Sequence, residues 1–189
     1  MIDPALIARR RAFSRKPYAT LSDVGLDGEY VSPLQILAAS PSGPVLIAYH
    51  WLDAATARKK AACLRNLGYL PTLNFNKVVD AALRIGGLTR ADVYMTQAFH
   101  LLPAKRSAAI PAGDVDASFA AITRYELQGR RVIALGTAAA RACKRGGVTP
   151  EQIVMHPSAR GLSFDAKANV LASAILKLTV PAKALEKGI

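Results

Sequence analysis

The stretch Gln152-Ile153-Val154-Met155-His156-Pro157-Ser158-Ala159-Arg160-Gly161 decides the fold of this chain. It starts as an apolar run typical of a strand and passes at once into a His-Pro-Ser turn, which is followed by a basic loop with a glycine. The pattern predicts that His156 lies at the carboxyl end of a sheet strand. Open α/β sheets bind ligands along that edge, so His156 is the first candidate for a functional side chain.

Three earlier apolar runs end in a polar residue or a glycine in the same way. They are Val45 to His50, Val93 to Gln97 and Val132 to Gly136. Continuous apolar runs are typical of strands with both faces covered, and helical patterns separate these runs. We therefore predict an α/β fold, a three-layer α/β/α sandwich with a central, mainly parallel four-stranded sheet. Its carboxyl rim would carry His50, Gln97, Gly136 and His156.

Helical spacing of apolar residues fills the intervals between the strands. The pattern predicts helices over residues 54–66, 76–85, 114–128, 137–144 and 165–178. Asp53 suits the N-cap of the first of these helices, and glycines stand where most of them should end. Asn74 and Asn76 are candidate N-caps for the second.

The chain is long enough for one domain. It has 189 residues, of which 51% are hydrophobic, and such a chain buries one core more easily than two. Residues 1–44 are expected to form a basic N-terminal helix and a lead-in that wraps the domain, because prolines and glycines interrupt residues 17–44. The α/β domain spans residues 45–180, and residues 181–189 form a loose polar tail.

The charge balance indicates a polyanionic partner. The chain has 25 basic and 13 acidic residues, a net charge of +12 and a pI near 10.1. Such an excess attracts nucleic acid from a distance, although a solvated basic face gives the same balance. No apolar run reaches the ~18 residues that a membrane span needs.

Cysteine usage and the amino terminus bear on location. Cys63 and Cys143 are too few for a structural zinc site or an iron-sulfur cluster, and we interpret both as core hydrophobes of a reducing compartment. The basic amino terminus lacks the apolar segment of a secretory signal, while its composition also fits a mitochondrial-type presequence. We expect a cytoplasmic monomer without metal or cofactor.

Three segments, in order and at this spacing, resemble motifs of the uracil-DNA glycosylase superfamily. They are Val93 to Pro103, Arg131 to Ala140, and His156-Pro157-Ser158. The resemblance covers roughly residues 45–178. It implies base excision repair: an enzyme that flips uracil, or a related deaminated or modified base, out of DNA and hydrolyses its N-glycosidic bond, leaving an abasic site.

The chain departs from that family at two motifs. The first motif, with Gly, a variable residue, an acidic residue or Asn, and then Pro, is replaced by Ala48-Tyr49-His50-Trp51-Leu52-Asp53. The attacking water could therefore be held by His50, by its position, or by Asp53, by its chemistry. Gln97 stands where most members carry Asn. The cysteines that bind a cluster in some branches are absent, so no iron-sulfur cluster is expected.

The resemblance also implies roles for individual side chains. His156 would donate a hydrogen bond to the carbonyl oxygen of the departing base, which leaves as an anion. Gln97 would match the base edge, and its longer side chain suggests tolerance for related lesions. The remaining expected contacts are stacking of the base on Phe75, Tyr49 or Trp51 and binding of DNA by Ser158, Ala159, Arg160, Lys105 and Arg106.

Other interpretations of these residues stay open from the sequence. His156 could be a buried or capping histidine, Gln97 a glutamine bonded to backbone, and the aromatic residues plain core. Two other functions also fit. One is a nucleotide-binding protein with a phosphate cradle at Gly136-Thr137, although a complete glycine-rich motif is missing. The other is a glycosylase-like fold that binds DNA without catalysis.

Overall fold

The computed structural model describes residues 2–179 and contains a four-stranded sheet in which all strands are parallel. The strands are β1 (Val45–His50), β2 (Tyr94–Phe99), β3 (Val132–Leu135) and β4 (Gln152–Val154). Helices cover both faces, so the predicted three-layer α/β/α sandwich is confirmed. The predicted tail, residues 181–189, lies outside the described residues.

The strand order is β2-β1-β3-β4, which creates a crevice at one end of the sheet. The connection that leaves β1 runs toward β2, whereas the connection that leaves β3 runs toward β4 on the other side. Between two such strands the outgoing loops diverge, and parallel sheets bind ligands there. The carboxyl ends of β1 and β3 therefore define the place where a site is expected.

Apolar side chains alternate between the two faces of the sheet and build a core on each. In the register, Leu46 of β1 lies beside Met95 and Ile133, and all three belong to one buried cluster. Val45 and Ala134 face the opposite cluster. β2 and β3 are buried along their whole length, which is why they are continuous apolar runs rather than alternating ones, whereas Ile153 of the edge strand β4 is exposed.

The helices agree with the sequence pattern, with two local differences. They are α1 (Pro4–Ala12), α2 (Ala54–Lys59), α3 (Ala61–Leu67), α4 (Asn74–Ile85), α5 (Ala112–Ser118), α6 (Arg124–Glu126), α7 (Thr137–Arg145) and α8 (Phe164–Thr179). The helix predicted over 54–66 is wrong as a single element, because the backbone of Lys60 leaves the helical region and separates α2 from α3. A π-helical turn, Phe119–Thr123, joins α5 to α6. Within residues 2–179, no helix has the length and apolar character needed to cross a bilayer.

The basic cluster of α1 is largely committed to contacts within the protein. Arg10 is buried, pairs with Asp27 and donates to the carbonyl oxygen of Tyr30 at 2.9 Å. Arg11 pairs with Asp27 and with Glu29. These contacts fasten the lead-in to α1. The charges of Arg10 and Arg11 are therefore compensated by neighbouring carboxylates. This region has less free positive charge than its run of arginines suggests.

A buried carboxylate connects the lead-in to β2. The side chain of Glu126 is 0% exposed. It accepts hydrogen bonds from Gln35 Nε2 (2.8 Å), Tyr94 Oη (2.7 Å) and Thr96 Oγ1 (2.8 Å), and His100 Nε2 lies 3.2 Å away. Burial and the nearby carboxylate raise the pKa of Tyr94, so its hydroxyl stays protonated and donates. Glu126 is thus the shared acceptor of one polar cluster.

Replacing Glu126 should therefore lower the stability of the protein. Glu126→Ala leaves several buried donors without an acceptor, and we expect a loss of about 3 kcal/mol in the free energy of unfolding. The matched control is Glu29→Ala, which removes a carboxylate that is 80% exposed and should cost less than about 1 kcal/mol. Urea denaturation of both variants measures the difference. Equal losses would contradict a special role for the buried carboxylate.

Candidate active site

The crevice between the ends of β1 and β3 contains a cavity of about 280 Å³. Its polar lining is provided by His50 at the end of β1, His156 just after β4, and Arg106 from the loop that follows β2. Its walls are mainly apolar. The remaining lining residues are Leu34, Ala48, Tyr49, Trp51, Leu52, Leu70, Leu73, Phe75, Asn76 and Ala138. An apolar slot with a few convergent polar groups is the usual form of a small-molecule site.

A hydrogen bond within its own turn fixes the ring of His156. The backbone N–H of Ser158 donates to Nδ1 of His156 at 3.1 Å. Because Nδ1 accepts, the proton of the neutral ring is on Nε2. The ring also contacts Phe75, with 5.3 Å between the ring centroids and an angle of 45° between the planes. The cavity therefore has an N–H donor, rather than a lone pair, beside a flat apolar surface.

Gly136 makes room for His156. Its backbone has φ +99°, a conformation that favours glycine, and its N–H donates to the carbonyl oxygen of Val154 at 2.8 Å. A Cβ atom on this residue would lie only 2.9 Å from Cβ of His156. The end of β3 can thus approach the His-Pro-Ser turn only because residue 136 has no side chain.

Both cavity histidines are held in the neutral form. Burial lowers the pKa of His156, and it is lowered further by His50 whenever that ring is protonated and by the charges of Arg106 and Lys167. Burial also lowers the pKa of His50, with Arg106 acting in the same direction and Asp53 opposing it. Within the described residues, Nδ1 of His50 is buried without a hydrogen-bond partner. This ring nitrogen of His50 is therefore not engaged by the described part of the protein.

Six of the residues predicted from the sequence line the cavity. They are His50, His156, Tyr49, Trp51, Phe75 and Arg106. Tyr49 and His156 are more than a hundred positions apart in the sequence, and the parallel sheet brings them together. Lys105, the neighbour of Arg106, is exposed and does not line the cavity.

Asp53 and Gln97 do not line the cavity. Asp53 is the N-cap of α2, as one interpretation of the sequence predicted: its Oδ1 accepts from the backbone N–H of Thr56 at 2.9 Å, and its Oδ2 from the Thr56 hydroxyl at 2.7 Å. Gln97 is 2% exposed, and its Oε1 accepts from the hydroxyl of Ser32 at 2.7 Å. Neither side chain is placed to contact a ligand in the cavity directly.

The predicted DNA-contact loop after His156 is a surface feature beside the cavity. Ser158 and Arg160 are exposed, and Lys167 of α8 donates to the carbonyl oxygen of Ala159 at 2.8 Å. Further along the same loop, Leu162 is 41% exposed. The loop therefore presents polar, basic and apolar side chains next to His156.

Asn76 is a cavity residue that the sequence pattern missed. The alternatives that Asn74 or Asn76 caps α4 are both wrong, because the N-cap is Leu73 and both asparagines lie within the helix. Its Nδ2 donates to the carbonyl oxygen of Leu70 at 3.0 Å, and its Oδ1 accepts from the buried Arg90 at 3.2 Å. Arg90 is in turn paired with Asp80. No local signal in the sequence links Asn76 to a site, since its partners come from other segments.

Comparison of the chain with models of protein families and with curated proteins finds no match. Evidence for a function therefore comes from the geometry of the cavity.

Substitution of Gly136 should disturb the site more than the fold. In Gly136→Ala the new methyl group meets Cβ of His156, and the residue must also keep a positive φ. We expect His156 to shift and ligand binding in the cavity to weaken, with a loss of unfolding free energy of about 1–2 kcal/mol. Gly129→Ala is the control, because Gly129 has φ +70° but nothing within 4 Å of its Cβ position. NMR shifts of the His156 ring in the two variants distinguish displacement from backbone strain.

The lowered pKa values of His50 and His156 predict destabilisation by acid. Histidines of the unfolded chain take up protons as the pH falls through 6.5, the ordinary value, whereas the folded histidines stay neutral to lower pH. In that interval the unfolded state binds more protons, so the free energy of unfolding decreases as the pH decreases. The melting temperature should fall as the pH is lowered from about 7.5 to about 5.5, and it should fall less steeply in His156→Gln. An identical slope in the variant would mean that His156 titrates normally.

Proposed function

We propose that the protein is a DNA glycosylase of the uracil-DNA glycosylase type, which flips uracil or a related deaminated base out of DNA and hydrolyses its N-glycosidic bond. One observation carries the proposal: His156 presents an Nε2–H donor in an apolar crevice, with its tautomer fixed by the N–H of Ser158. Cleavage of the glycosidic bond leaves negative charge on the base. A positioned donor at the base oxygen stabilises that charge as it develops.

The apolar walls suit a flipped base. Phe75 lies against the ring of His156, and Leu34 and Leu73 are among the aliphatic lining residues. A base removed from the DNA stack needs a surface on which its ring can pack, since stacking compensates part of the cost of extrusion. The exposed basic and apolar side chains of the loop after His156 support a role in contacting the DNA and filling the space that the base leaves.

The reaction can be written with the groups of the cavity. The C1′–N bond breaks, its electron pair stays on the base, and His156 donates to a carbonyl oxygen of that anion. The oxygen of a water molecule then bonds to C1′ of the oxocarbenium-like sugar and loses a proton. His50 is the group proposed to take this proton, because its lowered pKa leaves the ring neutral and it lines the same cavity as His156. Asp53 is less suited, since both of its oxygens accept hydrogen bonds from Thr56.

This engagement of Asp53 also favours a second candidate, a DNA-binding protein of the same fold that lacks catalysis. Without a free carboxylate to orient water, the protein could bind flipped or abasic nucleotides and leave the glycosidic bond intact. A nucleotide-binding function at Gly136-Thr137 is less well supported. The N–H of Gly136 already donates to the carbonyl oxygen of Val154. The side chain of His156 packs against Gly136 and occupies the space that a phosphate group would need.

Excision from uracil-containing oligonucleotides tests the proposal. We expect the natural protein to generate alkali-labile abasic sites, and His156→Gln to lower the single-turnover rate by roughly 100-fold. The variant removes no charge, but it lacks the imidazole Nε2–H whose position the N–H of Ser158 fixes. DNA affinity, measured by fluorescence anisotropy, and the melting temperature should both be nearly unchanged.

The alternatives give different results in the same experiment. Tight binding of uracil or abasic DNA without cleavage would support the non-catalytic module and contradict the glycosylase. Normal turnover by His156→Gln would remove His156 from the mechanism. Binding should weaken steeply as salt rises if Lys105, Arg160 and other exposed basic residues contact phosphates.

A further inference from the structure

Arg106 is the one residue of the cavity, among those the structure describes, that carries a permanent charge. It comes from the loop between β2 and α5 and is exposed. Within residues 2–179 it forms neither an ion pair nor a side-chain hydrogen bond, whereas Arg10, Arg11, Arg15, Arg90 and Arg145 are each paired with a carboxylate. An arginine that points into a cavity without a partner is available for a ligand.

The surroundings of Arg106 suit an anion. Among the lining residues from the described part of the chain, none is a carboxylate. Asp53, which follows β1, is buried and engaged with Thr56. The guanidinium acts on both cavity histidines, because it contributes to the lowered pKa of His50 and of His156. Arg106 also lines the same cavity as both rings, so an anion bound there would be attracted by its charge.

We propose that Arg106 is a catalytic residue that binds the negative charge of the leaving base, to which His156 also donates a hydrogen bond. This inference rests on the proposed function and adds a second group to its leaving-group site. As the C1′–N bond breaks, the electron pair moves onto the ring and its carbonyl oxygens, and the guanidinium donates to that anion. No proton needs to be transferred from Arg106, because arginine stays protonated throughout.

The chemistry of the two groups also selects the class of base. Arginine has five N–H donors and no acceptor, and His156 presents its Nε2–H. A base edge with carbonyl oxygens can accept from both groups. An exocyclic amino group, as in cytosine or adenine, is a donor and would leave these groups unpaired, which is a strong basis for rejection. The expected ligands are therefore oxo bases, the products of deamination.

Three variants separate leaving-group stabilisation from general attraction of DNA. Arg106→Ala should lower the single-turnover rate of uracil excision by roughly 100-fold, and Arg106→Lys should restore part of it. Lys105→Ala removes the same charge from the same loop but outside the cavity, so it measures the loss due to DNA attraction alone. The decisive comparison is between uracil and 5-fluorouracil, which departs more readily as an anion. The defect of Arg106→Ala should be much smaller with 5-fluorouracil.

An equal defect of Arg106→Ala with both bases would overturn the inference, as would a defect no larger than that of Lys105→Ala. Both results leave the glycosylase proposal intact, because the natural protein still excises uracil.

A binding measurement tests the anion site without turnover. 5-Nitrouracil is an anion at neutral pH and uracil is not, so titration of the full chain with each compares the charged and neutral ring. We expect the natural protein to prefer the anion by about 10-fold or more, and Arg106→Ala to lose that preference. Preference retained in Arg106→Ala overturns the assignment. If the preference depends on Arg106 but no oligonucleotide is cleaved, the anion site stands and the glycosylase function fails.

Discussion

The contact between Gly136 and His156 is the constraint on which the candidate site depends. The end of β3 must approach the turn after β4 closely enough for the two to share one rim, and a single Cβ atom at position 136 would prevent it. The N–H of Gly136 bonds to Val154, which extends the ladder to the base of the turn. The backbone of the sheet thus sets the position of the histidine, and the N–H of Ser158 then sets the direction in which its ring donates.

The charged and titratable side chains determine which ligands this cavity suits. Two histidines lie in a site with a guanidinium and, among the described lining residues, no carboxylate. Burial and the positive charge of Arg106 lower the pKa of both rings, so both are neutral, and the N–H of Ser158 leaves the proton of His156 on Nε2. The combination of neutral histidines and a permanent cation suits stabilisation of the base anion that the proposed reaction would form. It is poorly suited to a mechanism that requires a carboxylate nucleophile.

Polar clusters outside the cavity hold its walls in place. Glu126 joins β2 to the lead-in through Gln35, and Ser32 of the same turn bonds to Gln97. This turn carries Leu34, which lines the cavity. On the other side, Arg90 fixes the amide of Asn76. These contacts are buried and hydrogen-bonded, which allows polar groups in the core without a large loss of stability.

The sequence by itself determined the layers of this protein. Continuous apolar runs ended by polar residues or glycine predicted four parallel strands, because both faces of such a sheet are buried and the pattern is local. The prediction that Gln97 lies on the rim is wrong, since β2 continues to Phe99 and Gln97 pairs with Ala48 inside the sheet. The local pattern also predicted that Asp53 caps α2. Only the tertiary structure decided which rim residues reach the cavity. Gln97 turns toward Ser32, Asn76 and Arg106 enter from segments with no motif of their own, and the charges of α1 are compensated by Asp27 and Glu29. These outcomes depend on contacts between residues far apart in the chain, and no local periodicity encodes such contacts.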